Sequence, residues 1–212
     1  MLVHNKSFET YLVSIITLAL ESDIGVKYGM SKKLDGIKAI KSGVRLDFTS
    51  EIVSCTKGDW NSRLASMQSI FGKEPDILRQ NIKDLERIRK IRNNVAHSFG
   101  RDIQEAHEVH KLQRLPSEKL HCKQLLKYWN IIDECVREID EIMFQQHIGE
   151  YQILCFYHDV QKEILSELNQ NQHSTGNKAR LFRKKYGKAD KNGMQTLGAK
   201  FCKELIEYYD SI

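Results

Sequence analysis

The sequence predicts an all-α fold, and three observations support this prediction. Apolar residues recur three and four positions apart along nearly the whole chain, which is the periodicity of amphipathic helices. Strict alternation of apolar and polar residues, the pattern of half-buried strands, is nearly absent. The 212 residues include only two prolines and twelve glycines, so few positions break a helix. A chain of this length corresponds to about one to one and a half domains.

The N-terminal part contains two predicted helices and one ambiguous stretch. The first helix runs from about Ser7 to Leu20 or slightly beyond. Ser31 is a suitable N-cap for a second helix, which stops at Gly43. Residues 43–56 are the one stretch rich in β-branched side chains. We expect a loop or a short extended segment there.

Two helices with clear end signals follow. Asp59 is a suitable N-cap for a helix that runs through Phe71, and Gly72 ends it. Pro75 stands where proline favours the first turn of the next helix, predicted over residues 75–97.

The C-terminal half is predicted to contain one long helix and several shorter ones. Pro116 with Ser117 repeats the start signal, and apolar residues continue at helical spacing to a break at Gly149. A further helix covers residues 151–168.

The tail begins with a polar stretch at residues 169–177, which reads as a linker. Two short helical segments follow, over roughly 178–187 and 194–209. We therefore predict a helical domain over residues 1–168, a linker over 169–177 and a basic helical extension over 178–212.

Composition excludes several classes of protein. The longest apolar run, Tyr11 to Leu20, has ten residues, whereas a bilayer span needs roughly 20. We do not expect this run to be a signal peptide, because Glu9 precedes it, Glu21 and Asp23 follow it, and no small-x-small cleavage site appears. The five cysteines are scattered without a C-x-x-C pair, so we expect reduced thiols, mostly in the core, and a cytoplasmic protein. His107 and His110 stand three apart, but no third ligand joins them, and we expect no metal and no cofactor.

The net charge of +5 belongs entirely to the tail. Residues 171–212 hold nine Lys or Arg and four acids, and the first 170 residues are balanced. Such a cluster is a candidate RNA-binding surface, with a solvated basic face as the alternative. We expect the interleaved Phe182 and Tyr186 to pack the tail onto the body rather than to stack on bases. Helix-turn-helix binding to DNA is disfavoured because the last segment is rather acidic. The candidate RNA-binding residues are Lys178, Arg180, Arg183, Lys184, Lys185 and Lys188.

Arg92 occupies an unusual place in the helix predicted over 75–97. At about 100° per residue, the apolar side chains of this helix fill an arc of about 180°, and Arg92 falls inside it. A buried guanidinium is unfavourable unless an anion pairs with it. We therefore expect Arg92 to face a partner carboxylate, a subunit interface or a phosphate. The alternative is an arginine that snorkels or pairs within its own fold.

His97 lies five residues after Arg92, near the end of the same helix. A helix C-terminus stabilises imidazolium, so a histidine there titrates near neutral pH and suits general acid or base catalysis. The alternative is a histidine that only complements the helix dipole.

The sequence Arg92-Asn93-Asn94-Val95-Ala96-His97 resembles the hallmark of the HEPN superfamily. That hallmark is an arginine, usually followed by a polar residue, and a histidine a few residues on, at a helix end in an all-α bundle. The resemblance implies an up-and-down helical bundle of HEPN type over residues 1–168. It also implies a homodimer in which two copies of the motif form one composite site.

The activity implied by this resemblance is metal-independent cleavage of RNA. His97 would deprotonate the ribose 2′-hydroxyl or protonate the leaving 5′-oxygen, Arg92 would hold the scissile phosphate, and Asn93 would orient the site. The products would be a 2′,3′-cyclic phosphate and a 5′-hydroxyl. The biological setting would be a toxin–antitoxin pair or antiviral defence, with an antitoxin or a defence-complex protein as a further partner.

Alternatives remain at the sequence level. Arg101 with His107 also satisfies a loose form of the motif, and Arg114 with His121 has a related spacing. In one toxin branch the histidine is followed, two residues on, by a tyrosine that the antitoxin modifies, whereas this chain has Phe99 there. A non-catalytic module that binds nucleic acid or protein, or a regulator similar to mannitol-operon repressors, would also carry such a motif.

Overall fold

The computed structural model describes residues 2–28, 35–44, 46–98, 120–187 and 197–212. Within these ranges, the side chains of residues 2–7, 27–28, 96–98 and 170 are not described. All regular secondary structure in the described residues is helical, which confirms the all-α prediction. No described helix combines the length and the apolar character needed to cross a membrane.

Ten α-helices are present in the described ranges, together with short 3₁₀ and π turns. The helices are α1 (Leu2–Ser22), α2 (Gly36–Lys41), α3 (Thr49–Thr56), α4 (Trp60–Phe71), α5 (Asp76–Gln80), α6 (Ile82–Ser98), α7 (Cys122–Met143), α8 (Tyr151–Glu167), α9 (Thr175–Tyr186) and α10 (Ala199–Ser211). The shorter turns are Ile24–Tyr28 and Gln170–Gln172, which are 3₁₀, and Phe144–Ile148, which is π.

The chain forms two compact units. The first, called unit 1, comprises Met1–Leu34 and Leu46–Ile148, and the second, called unit 2, comprises Asp35–Arg45 and Gly149–Ile212. Unit 2 therefore takes α2 from the N-terminal half of the chain and joins it to α8, α9 and α10.

Helix α1 organises unit 1, because it contacts α3, α6, α7 and the π turn. Its inner face carries Leu12, Ile16 and Leu20, all of which are fully buried. At the middle of the helix the Tyr11 hydroxyl donates a hydrogen bond of 2.8 Å to the Asp140 carboxylate on α7. This bond fixes α1 to α7 across a sequence distance that local pattern does not reveal.

The π turn is held against the C-terminal end of α1. Ser22 Oγ donates to the carbonyl oxygen of His147 at 2.8 Å, and His147 Nδ1 lies 3.0 Å from Asp23 Oδ2. Both side chains of the His147–Asp23 pair are buried. The turn then ends at Gly149, whose φ of 51° is in the left-handed region that glycine adopts readily. The predicted break at Gly149 is confirmed.

The end signals around α4 are confirmed. The Asp59 carboxylate accepts a hydrogen bond from the Ser62 amide at 3.0 Å, which is an N-cap bond. Gly72, with φ of 72°, supplies the left-handed C-cap of the same helix. Pro75 then stands at the N-cap position of α5.

Two sequence expectations for unit 1 are corrected. Residues 43–56, expected as a loop or an extended segment, include α3. Asp47 Oδ1 accepts a hydrogen bond from the Thr49 amide at 2.8 Å, and burial of Cys55 against the bundle overrides the β-branched composition. The helix predicted over 75–97 is divided at Asn81, whose side-chain amide donates to the carbonyl oxygen of Ile77 at 2.9 Å.

Unit 2 is built around a cluster of aromatic rings. Tyr157 on α8 makes edge-to-face contacts with Phe182 on α9, at a centroid distance of 5.3 Å, and with Tyr209 on α10, at 5.0 Å. Ile37 on α2 is fully buried in the same core. On α2, Lys41 Nζ donates to the carbonyl oxygen of Tyr209 at 2.8 Å.

The boundary between the two units differs from the predicted division of the chain into 1–168, 169–177 and 178–212. The fold divides after Ile148, and α8 belongs with the tail helices because Phe182 and Tyr157 share one core. The stretch 169–177 contains a 3₁₀ turn, and its Ser174 side chain caps α9. The expectation that Phe182 and Tyr186 pack the tail onto the body, predicted as residues 1–168, is confirmed, since both rings contact Phe156.

The Phe182→Ala variant should therefore lose about 3–5 kcal/mol of unfolding free energy, because it removes a fully buried ring. Urea unfolding followed by circular dichroism measures this loss. Phe156→Ala is the matched control, since that ring is 43% exposed, and it should lose much less. Equal losses in the two variants would contradict the packing described for unit 2.

The described cysteines differ in exposure and therefore in reactivity. Burial is the main cause that raises the pKa of Cys55 to about 11 and that of Cys135 to about 12. Cys122, the first residue of α7, is exposed. Because the thiolate is the reactive form, the two buried thiols react slowly at neutral pH.

In the folded protein at neutral pH, iodoacetamide should label Cys122 first and leave Cys55 and Cys135 unlabelled. Peptide mass spectrometry after timed quenching reads out each site, and the same reaction in denaturant supplies the fully accessible rates. Labelling of Cys135 at the rate of Cys122 without denaturant would show that α7 does not bury this thiol.

Candidate catalytic site at the end of helix α6

The candidate site lies on the C-terminal half of α6, which packs one face against the other helices of unit 1. Leu85, Ile88 and Ile91 are buried on that face, as their spacing predicts. Arg92 follows directly and its side chain is 25% exposed. The guanidinium therefore lies partly within the fold, as the sequence led us to expect.

The partner of Arg92 is the carboxylate of Glu9 on α1. Arg92 Nη1 forms an ion pair with Glu9 Oε2, and the Glu9 side chain is itself largely buried. The structure thus shows the alternative given for Arg92, an arginine that pairs within its own fold. The phosphate and the subunit interface belong to the functional proposal below.

Asn93 orients the other side of the same guanidinium. Arg92 Nε and Nη2 both donate to Asn93 Oδ1, at 3.2 and 2.9 Å. A guanidinium carries five N–H groups. The contacts with Glu9 and Asn93 engage three of them, so among the described side chains one N–H on each terminal nitrogen has no acceptor.

A second arginine contacts Glu9 from the opposite side. Arg63 Nη2 on α4 lies 3.5 Å from Glu9 Oε1, and this side chain is only 3% exposed. Its Nε donates to the carbonyl oxygen of Gly58 at 3.1 Å, and the guanidinium lies 4.7 Å from the centroid of the Trp60 ring. Burial lowers the pKa of Arg63, whereas Glu9 acts in the opposite direction.

Arg89, also on α6, completes a cluster of three arginines and two glutamates. It pairs with Glu86 at 2.9 Å, and Glu86 accepts a hydrogen bond from the Trp60 amide at 2.6 Å. Three guanidinium groups and two carboxylates leave one net positive charge. Arg63 is buried and the other four side chains are partly exposed. The excess charge of the cluster favours the approach of an anion.

His97 lies in the last turn of α6, and its side chain is outside the described residues. Its backbone stands four residues after Asn93, which places the two positions on one face of the helix. Arg92 is drawn toward that face by its bonds to Asn93. The helix therefore brings the arginine head group and the histidine position to the same side.

The rival motif cannot be located in the same way. Arg101, His107 and Arg114 lie outside the described residues, as do Phe99 and the His107–His110 pair. His121 is described and stands exposed at the N-cap position of α7. Among the described side chains, no group of three His, Cys, Asp or Glu residues has the spacing of a metal site.

The predicted RNA-binding residues fall into two groups. Lys178 Nζ lies 2.8 Å from Asp210, and Lys185 Nζ lies 2.7 Å from Glu163. These two lysines join helices within unit 2. Lys185 also pairs with Glu167, and this charge network raises the pKa of Lys185 and lowers the pKa of Glu163. The other predicted residues differ in placement: Arg180, Arg183 and Lys184 are exposed on α9, and Lys188 lies outside the described residues.

Sequence reasoning missed Glu9 and Arg63 as parts of the site. Glu9 lies 83 residues before Arg92, and Arg63 belongs to another helix. The one available signal was that Arg92 needed an anion. The chain contains many carboxylates, and the sequence does not distinguish among them. Only the packing of α1, α4 and α6 selects Glu9.

Comparison of the chain with models of known protein families, with curated proteins and with solved structures gives no match. The functional argument therefore depends on the motif residues and on the contacts described above.

The Glu9→Gln variant should lose about 3 kcal/mol of unfolding free energy, because it leaves the buried Arg63 without its counterion. Replacing Arg63 as well, in Glu9→Gln/Arg63→Met, should recover part of this loss, since an apolar side chain needs no counterion. Asp133→Asn is the control, because Asp133 forms an exposed pair with Arg137 and exposed pairs contribute little.

Chemical unfolding of the three variants and the parent protein measures these differences. A loss for Glu9→Gln no larger than that for Asp133→Asn would contradict the role of Glu9 as the shared counterion.

Proposed function

We propose that this protein is a metal-independent endoribonuclease of HEPN type, with Arg92, Asn93 and His97 as its site. The observation that carries the proposal is the state of Arg92 within the motif. Glu9 and Asn93 hold its guanidinium, and within the described residues no further acceptor engages the two remaining N–H groups, which lie on different nitrogens. Each of these N–H groups can donate to a phosphate oxygen.

The proposed reaction uses the nucleophile that RNA itself provides. The ribose 2′-oxygen attacks the adjacent phosphorus while a base removes its proton, and the bond from phosphorus to the 5′-oxygen breaks as that oxygen accepts a proton. His97 performs one of these proton transfers. Negative charge builds on the phosphate oxygens during the attack, and Arg92 stabilises it.

Pre-organisation supports this role for Arg92. A flexible arginine would have to be ordered when the substrate binds, whereas Glu9 and Asn93 already hold this one in place. Arg63 and Arg89 add positive charge to the cluster. Both guanidinium groups are held by carboxylate or backbone oxygens. Asn93 therefore has an orienting role in the proposal rather than a role in proton transfer.

The proposed active form is a homodimer. One His97 serves one proton transfer well, and the reaction requires two, so two copies of the motif at one scissile bond would supply both the base and the acid. Light scattering should then give twice the monomer mass of 24.7 kDa. A strict monomer that still cleaves RNA would eliminate the composite site.

The alternative is a non-catalytic module that binds nucleic acid or protein. The observation that favours it is the ion pair of Arg92 with Glu9, because a purely structural arginine makes the same contact. The two functions differ in what Arg92 substitution changes. A structural arginine affects stability alone, whereas a catalytic one affects turnover in protein that remains folded.

Purified protein should cleave total RNA in the presence of EDTA and leave 2′,3′-cyclic phosphate ends. Arg92→Ala should reduce the rate roughly 10²–10³-fold, because it removes the group that stabilises the developing charge. His97→Ala should reduce it roughly 10²–10⁴-fold, because it removes a proton-transfer group. Gel electrophoresis and end-group analysis measure both effects.

Arg87→Ala is the matched control, since Arg87 is an exposed arginine on the same helix and lies five residues before Arg92. It should cleave like the parent. A His107→Ala variant tests the rival motif in the same assay. Intact RNA with the parent protein, or equal cleavage by the parent and both motif variants, would refute the proposal.

The proposed setting is a toxin–antitoxin pair or antiviral defence. Expression of the parent protein should then arrest growth, and His97→Ala should relieve the arrest. Growth arrest that persists in His97→Ala would separate the toxicity from the proposed chemistry.

A further inference from the structure

A groove between α9 and α10 in unit 2 is lined by several basic residues. The groove has a volume of about 660 Å³. The residues that line it are Gly176, Ala179, Arg180, Arg183, Lys184, Gly187, Ala199 and Lys203. Four of these eight residues are cations, and none of them is a carboxylate.

The spacing of the lining residues explains why the charge lies on one side. On α9 they stand at positions 176, 180, 183, 184 and 187, which share one face of a helix. On α10, Ala199 and Lys203 are four residues apart and also share a face. The cations on α9 run from Arg180 to Lys184, about 6 Å along the helix, and Lys203 adds a fourth from α10.

The opposite faces of the same helices hold the structural contacts. Phe182 points toward the core, and Lys178 and Lys185 form ion pairs with Asp210 and Glu163. The tail thus separates its basic residues by face. One set joins helices, and the other lines the groove.

Small residues form much of the rest of the groove. A Cβ atom at Gly176 would meet no atom within 4 Å, so this position is open. A Cβ atom at Gly187 would lie 2.7 Å from the Arg183 carbonyl oxygen, so glycine is needed for the close approach at this end. Arg183 Nε donates to the carbonyl oxygen of Leu197 at 2.9 Å, which fixes this arginine at the groove wall.

These features favour a flexible chain of phosphates over the other anionic ligands. Cations that line a concave groove contact a backbone that enters it, whereas reading a duplex requires a helix that projects into the DNA groove. None of the described residues that line the groove is aromatic, so the proposal does not use base stacking. Binding through phosphates alone is independent of sequence.

We propose that this groove binds the phosphodiester backbone of single-stranded nucleic acid. The choice of RNA over DNA as the natural ligand rests on the proposed function, whereas the backbone contact does not. The residues that contact the phosphates are Arg180, Arg183, Lys184 and Lys203. The other predicted residues of the tail, Lys178 and Lys185, have structural roles instead.

The test measures binding of a labelled oligouridylate to full-length protein by fluorescence anisotropy, in a His97→Ala background that prevents cleavage. Arg180→Ala/Lys184→Ala should weaken binding about 25-fold at 0.1 M salt. Each lost phosphate contact multiplies the association constant by the molar salt concentration raised to a power of about 0.7. At 0.1 M salt this is a loss of about fivefold per contact. The slope of log affinity against log salt should fall in magnitude by about 1.4.

Lys162→Ala/Lys200→Ala is the matched control. Both lysines belong to unit 2, the double variant loses the same two charges, and neither residue lines the groove. Lys200 and Lys203 are compared directly as single variants, because each has a glutamate four residues on, at 3.6 and 3.4 Å. Only Lys203→Ala should weaken binding.

Gly176→Glu provides a variant in which loss of folding is not an explanation. It places a carboxylate in the open part of the groove and in the first turn of α9, where an acid stabilises a helix. Its thermal unfolding temperature should equal or exceed that of the parent, while its affinity for the oligouridylate should fall.

Competition experiments distinguish the sources of the phosphate. Equal competition by oligothymidylate and oligouridylate supports a contact with the backbone alone, and preference for the uridylate supports RNA as the ligand. Stronger competition by duplex RNA, or by inorganic pyrophosphate, would overturn the proposal. Equal weakening by the groove variant and the Lys162→Ala/Lys200→Ala control would overturn it as well.

Failure of this proposal is separate from failure of the nuclease proposal. If the protein binds the oligouridylate through the groove but cleaves no RNA, the groove proposal is supported and the nuclease proposal is refuted. If the protein cleaves RNA but the groove variants do not change binding, the nuclease proposal is supported and the groove proposal is refuted.

Discussion

Burial of the Arg63 guanidinium is the constraint on which unit 1 and its candidate site depend. An arginine that is 3% exposed loses most of its hydration, and an uncompensated charge in such a place destabilises a fold by several kcal/mol. Glu9 supplies the compensation, and it does so from α1, the helix that contacts most of the other elements in unit 1. The same carboxylate also holds Arg92 on α6. One acid therefore links α1, α4 and α6.

This arrangement connects folding to chemistry. Glu9 has two oxygens, and each faces a different arginine, so the position of Arg92 is determined by the helices that bury Arg63. A side chain placed in this way changes little when a ligand arrives, and pre-organised charge is the main means by which enzymes stabilise a developing anion. The stability of the bundle and the readiness of Arg92 thus have one physical origin.

Much of the fold was predictable because its signals are local. The caps at Asp59 and Gly72, the break at Gly149 and the all-helical character follow from side-chain hydrogen bonding, backbone freedom and periodicity. The motif at Arg92 and Asn93 was also readable, as was its need for an anion. The choice of Glu9 was not, because it depends on helix packing across 83 residues. Helix α3 and the inclusion of α2 in unit 2 were missed for the same reason.

The charge of the tail illustrates the difference between composition and placement. Composition located the whole excess of +5 in residues 171–212, but it treated all of those cations alike. The fold assigns Lys178 and Lys185 to helix contacts and places Arg180, Arg183, Lys184 and Lys203 along one groove. Under the proposed function, the groove cations and Arg92 contribute to different kinetic constants. Contacts between the groove and an RNA backbone are the same before and during cleavage, so they lower KM without raising kcat. The contact of Arg92 strengthens as charge builds on the phosphate, so it raises kcat. In this proposal the groove cations therefore determine how tightly RNA is bound. The cluster around Glu9, with one excess positive charge, determines how fast the RNA is cut.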